Sequence, residues 1–261
     1  VARLAVRLLG RRRLRNILLS ASDHAVADWQ QITAVRDDVA RNCLAGDGIE
    51  IGALHVPLRM PRSARVRYVD RKGNPGLRED FPELKDRPFV TVDVVDDGET
   101  LHSFEDSSLD FVVANHFIEH TQDPIGTLEA QCRVLREHGI LFIVAPDRRF
   151  TFDRDRTPTT LEHVLRDHAE GPAWSRHDHY REWVRLVERF DPDDVQARAR
   201  KLDDEGASIH FHNWDFEGFL ELVLHCRDAL NLPVALEHAQ MNGAEFLLVM
   251  RKTTLAALAS T

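Results

Sequence analysis

Cysteine is scarce in this sequence and what there is stands apart. Cys43, Cys132 and Cys226 form no CxxC pair. An odd number without a framework excludes a disulfide-stapled scaffold and suits ordinary buried thiols in a reducing cytoplasm, which is the expected compartment. Long apolar runs are missing too: nothing approaches the roughly 20 apolar residues that cross a bilayer. No signal peptide is expected, because apolar residues 4–9 and 17–19 are interrupted by Arg7 and by arginines 11–13. Tyrosine is almost absent. Tyr68 and Tyr180 are the only two, and Val184 stands where a Tyr-x-x-x-Lys pair would need its lysine. No GxGxxG follows a strand, so a nicotinamide-dependent oxidoreductase is a weak reading.

Positive charge is also short, except at one end. Residues 1–16 hold six arginines and no acid, so with a net charge of −9 for the chain the remainder carries −15. A body this acidic repels a phosphate backbone, and a nucleic-acid partner is not expected. The basic segment suits peripheral contact with an anionic membrane surface or an acidic partner, or else a solvated helix. Residues 1–44 read as a helical extension and 45–261 as the main domain. At 43% apolar composition, the chain has enough hydrophobic material for a substantial core.

After Asp47 the pattern alternates. Short β-branched runs at 48–51, 66–69, 89–95, 111–114 and 140–144 read as strands buried on both faces. Between the last two, Asp123 is a good N-cap and Pro124 suits the first helical position. Ile125, Leu128, Cys132 and Leu135 then form one apolar stripe, with Gly139 expected to end the helix in a left-handed conformation. Residues 147–211 interrupt the rhythm with Arg, Asp and His and with helical patterns at 161–168 and 180–190. A helix over 212–230 and two strands, 234–238 and 245–251, close the chain, with Asn242-Gly243 as a hairpin signal. The expected fold is α/β: a Rossmann-like, doubly wound, mostly parallel sheet ending in an antiparallel hairpin, with a helical insert after the fifth strand.

In such sheets ligands bind beyond the carboxyl ends of the strands. Gly52 follows the first strand, where a Cβ would intrude on a ligand. Glu50 is placed to hold an ammonium group, directly or through water. Asp70 ends the second strand, eighteen residues after Gly52, a separation suited to a pair of ribose hydroxyls. Asp93-Val94 closes the third, with the acid suited to an adenine amino group. Each acid alone is more often a helix cap; three at successive strand ends carry more weight.

The run Ser108-Leu109-Asp110-Phe111-Val112-Val113-Ala114-Asn115-His116-Phe117-Ile118-Glu119-His120 resembles the fourth-strand motif of class I S-adenosylmethionine-dependent methyltransferases. Asp123-Pro124, Arg133-Val134-Leu135-Arg136-Glu137-His138-Gly139 and Ile140-Leu141-Phe142-Ile143-Val144-Ala145-Pro146 continue the likeness through the fifth strand. It covers roughly residues 45–147 and the terminal hairpin. Glu50-Ile51-Gly52 and the Arg-Tyr-Val-Asp of the second strand also resemble methyltransferases of surface-polysaccharide clusters. The resemblance implies S-adenosylmethionine as cofactor, held by Glu50, Gly52, Asp70, Asp93 and Val94. It adds Asn115 and His116 beside the methionyl part and the transferable methyl. The sequence departs from the family after Gly52, where Ala53, Leu54 and His55 replace further glycines.

Methyl transfer needs an acceptor aligned with the sulfonium carbon, and a hydroxyl acceptor must also lose a proton. Candidate bases are His120 and His179, from a set that includes His116, His163, His168, His177, His210 and His212. Asp153, Arg154, Asp155 and Asp178 accompany them in the insert. A polar lid, a catalytic His–Asp pair and a divalent metal site at His177-Asp178-His179 compete for these residues; no metal is expected, since no HExxH and no cysteine partner support one. The expected activity is O-methylation of a sugar or small-molecule hydroxyl, with a glycan or small-molecule acceptor. The alternative is a binding or scaffold protein with a degenerate methyltransferase fold.

Overall fold

The computed structural model describes residues 29–253. The basic segment 1–16, and with it any membrane contact, lies outside them. Seven strands form one sheet: β1 (Gly46–Ile51), β2 (Ala64–Asp70), β3 (Val94–Val95), β4 (Leu109–Asn115), β5 (Leu135–Pro146), β6 (Val234–Asn242) and β7 (Glu245–Lys252). Their spatial order is β3-β2-β1-β4-β5-β7-β6. The first five are parallel, and β7 lies antiparallel between β5 and β6. The expected closing hairpin is present, with its second strand inserted inward. Its turn is Gly243-Ala244, since Asn242 still pairs with Glu245. Gly243 takes φ +66°, which puts the left-handed residue first in the turn.

Strand order reverses between β1 and β4, so a crevice opens beyond their carboxyl ends. Both strands are buried along most of their length, as a parallel sheet covered on two faces requires. Helix α1 (Trp29–Cys43) covers one face, where Ala40 and Leu44 pack on Phe111, Val113, Phe142 and Val144. Against the other face, α3 (Pro124–Val134) and α7 (Phe216–Asp228) bury Ile125, Leu128, Phe219 and Val223. The short α2 (Asn74–Asp80) follows β2.

Asp123 caps α3 as expected, accepting from Gly126 N at 2.9 Å, and Pro124 sits in the first turn. The end of that helix differs. It stops at Val134, β5 starts at Leu135, and the left-handed residue is His138 at φ +67°. Residues 136–139 bulge between the pairs Leu109↔Leu135 and Phe111↔Ile140. Gly139 is small for a different reason: a Cβ there would lie 2.9 Å from Arg136 O.

The insert contains α4 (Leu161–Glu170), α5 (Ala173–Trp183), a π-helical turn (Val184–Glu188) and α6 (Val195–Asp204). Tyr180, Trp183, Val187, Leu202, Ile209 and Phe211 give it a hydrophobic cluster of its own. Helix α6 had no counterpart in the sequence reading, because only Ala199 and Leu202 of its ten residues are buried.

Gly48 is a packing requirement. A Cβ there would lie 2.4 Å from Phe111 Cδ2 and from the Phe111 backbone oxygen. Gly48→Ala should cost about 1–3 kcal/mol, as overpacking of a rigid core does, measured as a lower urea midpoint at unchanged m-value.

Candidate active site

The loop leaving β1 turns on two left-handed residues, Gly52 at φ +68° and Leu54 at φ +49°. The chain thus keeps the sharp turn at a position where leucine replaces glycine, at a cost of about 1–2 kcal/mol. A Cβ on Gly52 would meet nothing within 4 Å, so the backbone borders open space. Gly52 N is tied to Val69 O at 2.9 Å, which fixes the loop against β2.

Glu50 is not exposed to that space. Its side chain is fully buried, accepting from Leu58 N at 3.0 and 3.1 Å and from Asn115 Nδ2 at 3.2 Å. The loop folds back over it, and Glu50 holds Asn115 in place. Burial pushes its carboxyl up to about 7, against the bonds from Leu58 and Asn115. Asn115 Oδ1, by contrast, is buried with no partner among the described residues.

Asp70 sits at the carboxyl end of β2, as expected. Oδ1 accepts from Arg71 N at 2.8 Å, and burial raises the carboxyl to about 6. Asp93 and Val94 fall elsewhere. Strand β3 is only two residues long and Asp93 precedes it; its Oδ2 accepts from Tyr68 N at 2.8 Å while its own N–H reaches Tyr68 O. The Asp93 carboxylate is therefore committed to the edge of β2, and Val94 is paired with Val69 inside the sheet. The acids beyond the end of β3 are Asp96 and Asp97, with Asp96 N bonded to Asp70 O.

Beyond β4, His116 takes φ +51°, unusual for a non-glycine residue and a mark of a constrained site. Its Nε2 lies 2.9 Å from Arg36 of α1 and 3.0 Å from Glu245 of β7. Arg36 and Glu245 form a buried ion pair, Nε to Oε1 at 2.6 Å, further held by Asn242.

The turn Ile118–His120 then meets the insert. His120 Nδ1 contacts Ile209 O at 2.8 Å, and the His120 and His210 rings cross edge-on with centroids 4.7 Å apart. His210 Nδ1 lies 2.7 Å from Asp153 Oδ2, and Arg156 binds Asp153 Oδ1 at 2.9 Å. Glu119 is buried beside them, and neither of its carboxylate oxygens has a hydrogen-bond partner among the described residues.

His179 belongs to a neighbouring group. Its Nε2 is 3.0 Å from His163 Nε2, which is 3.1 Å from Asp167 Oδ2; His212 Nε2 is 3.6 Å from that same oxygen. His163 and His179 line a cleft of about 560 Å³ in the insert, with Thr159, Trp174, Glu182 and Arg185. That cleft adjoins the insert's histidines and does not include the strand-end residues. The two expected bases therefore lie in different clusters. Burial, then the neighbouring His210, pushes His120 down to about 3; burial, then His163, pushes His179 to about 4. Both imidazoles are neutral at pH 7 but far below the value near 7 that serves proton transfer. His177 pairs with Asp203 at 3.2 Å and Asp178 with Arg181 at 2.9 Å, so the local His177-Asp178-His179 run does not converge on one point.

Sequence reasoning passed over Asp96, Asp97 and Glu119, and it named Asp153 and His210 among its candidates without pairing them. Glu119 had a faint signal in the spacing His116-x-x-Glu119-His120.

Residues 48–143 match the family model of a methyltransferase domain. Among solved structures, the chain is similar to the PH0226 protein of Pyrococcus horikoshii, at 15% identity, 88% of this chain and 93% of that one, and TM-score 0.48. A protein from Rhodobacter sphaeroides named as a Zn-dependent alcohol dehydrogenase gives 16% identity, 84% and 90% coverage and TM-score 0.48. A SAM-dependent methyltransferase of Methanosarcina mazei gives 14% identity, 83% and 97% coverage and TM-score 0.44. At these scores the likenesses carry no assignment of activity. No curated protein matches the sequence.

The site suits the cofactor of that domain: open space at Gly52, an unpartnered amide oxygen on Asn115 and the Asp70 carboxylate lie at the ends of β1, β4 and β2.

Glu50 provides a test of this geometry. Its folded-state value of about 7 exceeds the ordinary 4.5, so the folded protein holds the extra proton. The stability this contributes is full below pH 4.5 and is lost as pH rises through about 7. Without cofactor, the Tm of wild type should fall across that window, and the isosteric Glu50→Gln should flatten the fall. Parallel profiles would refute the assigned burial. The site thus lies at the switch point of a 3-2-1-4-5-7-6 sheet, within or beside the stretch 48–143 that matches a methyltransferase domain.

Proposed function

We propose that this protein O-methylates a sugar or other small hydroxyl compound. The observation that carries the reading is the buried Asp153–His210 pair, 2.7 Å apart, beside the turn that follows β4. A carboxylate that fixes one imidazole nitrogen leaves the other aimed at an acceptor. An amine acceptor needs only to be neutral and aligned, whereas a hydroxyl needs its proton drawn away, directly or through an ion. The polar insert supports the same reading, since a sugar asks for many hydrogen-bonding groups around one cleft.

On the cofactor side, S-adenosylmethionine supplies the activated sulfonium methyl when bound. The Gly52 backbone admits it closely, Asp70 accepts from the ribose hydroxyls, and Asp97 takes the adenine amino group. Asn115 Oδ1 receives the ammonium, and His116 borders the methyl. His120 and His179 contribute as neutral imidazoles that shape the acceptor side, a role their depressed basicity allows.

Calorimetric titration with S-adenosylmethionine tests the first half. Asp70→Ala should bind at least about tenfold more weakly, or 1.4 kcal/mol, and wild-type affinity should drop as pH falls through about 6, where Asp70 gains its proton. Equal affinity for mutant and wild type would sink the β2 assignment. The second half is tested by a panel of saccharide, amine and carboxylate acceptors with mass-spectrometric detection. Methylated saccharide is the expected product; an N-methyl or ester product alone would overturn the reading.

A further inference from the structure

Glu119, His120 and His210 each bring one ligand-capable atom to within 4.8 Å of the others. The proton inventory of this group does not close. His210 Nδ1 faces a carboxylate oxygen at 2.7 Å and His120 Nδ1 faces the carbonyl of Ile209 at 2.8 Å. Both contacts require an N–H on Nδ1. A neutral imidazole has one such hydrogen, so Nε2 of each ring is a bare lone pair.

The lone pair of His210 shares a buried space with a carboxylate. His210 Nε2 is buried without a partner, 4.0 Å from Glu119 Oε1, and both Glu119 oxygens are unpartnered although the residue is 1% exposed. The nearest ring nitrogen that could donate to this carboxylate, His116 Nδ1, stands 3.5 Å from Glu119 Oε1, beyond an ordinary hydrogen bond, so acceptor faces acceptor between Glu119 and His210. Adding a proton to His210 would not repair this, because 4.0 Å is too long for a hydrogen bond. His116 stays outside the set, since its Nε2 meets both Arg36 and Glu245 and either tautomer has a partner. In the neighbouring His163–Asp167–His179–His212 group, by contrast, two rings meet directly, and the 3.0 Å contact between His163 and His179 Nε2 lets one proton link them.

Two imidazoles and one carboxylate form a ligand set used for zinc, and metal-bound histidines usually donate their second N–H to a carboxylate or carbonyl. Asp153 and Ile209 O are such outer partners here. Nitrogen ligands favour first-row transition ions over magnesium or calcium. We propose that Glu119, His120 and His210 bind a divalent transition metal of the zinc class, whose open positions take an oxygen of the methyl acceptor. The acceptor part rests on the O-methylation reading; the metal site does not. A coordinated hydroxyl is more acidic than a free one, which removes the need for a strongly basic histidine at this site.

The test uses the full chain, stripped with a chelator and titrated with Zn2+ by calorimetry. A single Zn2+ per chain is expected. Asp153→Asn should weaken binding by about 10–100-fold, as loss of an outer partner does, and Glu119→Gln should abolish it. His163→Ala should leave Zn2+ binding unchanged. Glu119→Gln also has a second readout: it replaces a buried carboxylate that lacks a hydrogen-bond partner with a neutral amide, so the metal-free variant should melt higher than metal-free wild type. A carboxylate with only a structural role would give the opposite shift. Absence of Zn2+ binding by folded wild type, or its loss in His163→Ala, overturns the site. If S-adenosylmethionine binds and saccharide is methylated by metal-free protein, the metal's role in holding the acceptor fails and the activity stands. If Zn2+ binds as expected but no saccharide is methylated, the acceptor reading fails and the metal site stands.

Discussion

The arrangement of the acceptor side depends on one guanidinium. Arg156 is 2% exposed, and its donors reach Asp153 Oδ1 at 2.9 Å, Glu182 Oε2 at 2.9 Å, His210 O at 2.8 Å and Phe211 O at 3.2 Å. A buried cation is tolerated only when its charge and its donors are both met, and here two carboxylates and two carbonyls do so. The planar fork of arginine suits this role in a way that a single ammonium does not. Through these bonds Arg156 ties three separate segments together: the stretch after β5, helix α5 and the loop residues 209–213. Asp153 is thereby held where it fixes the His210 ring, and residues 209–213 are held against the turn that follows β4. Without that clamp the insert would retain its own hydrophobic cluster but lose its register with the sheet.

A second ion pair does the same at the opposite side of His116. Arg36 of α1 and Glu245 at the start of β7 are both buried, and Asn242 bonds Glu245 and the Ile32 carbonyl. Burial alone would raise the Glu245 carboxyl, but the guanidinium of Arg36 and then His116 hold it below its usual range. His116 is therefore anchored by residues far apart in sequence, which is consistent with its left-handed backbone being over-determined by its surroundings. The site is built between two buried charge networks, and both are needed to bring chemistry to the end of β4.

Much of the fold was readable because local signals agreed with the global one. Apolar runs too short for surface helices became β1, β4 and β5, and Asp123-Pro124 opened α3 where capping chemistry requires. Gly52 and Asp70 lie at strand ends as their spacing implied. Where reading failed, a local rule met a tertiary override. Asp93 resembled a strand-end ligand, yet its carboxylate replaces a ladder bond to Tyr68 N and shortens β3 to two residues. Glu50 resembled an open ligand, yet the following loop folds back and covers it. Gly139 resembled a helix stop, yet a bulge puts the left-handed residue at His138.

The sequence by itself determined the class of fold and placed strands β1, β2, β4, β5, β6 and β7 and helices α3 and α7 in order. These follow from periodicity and short-range capping, which are properties of neighbouring residues. Only the tertiary structure decided which histidines meet. His120 and His210 are ninety residues apart in the chain and their rings touch, while His120 and His179 belong to different groups. Whether an imidazole is a base, a ligand or a brace depends on which nitrogen its neighbours occupy, and those neighbours arrive from distant segments when the insert folds back onto the sheet.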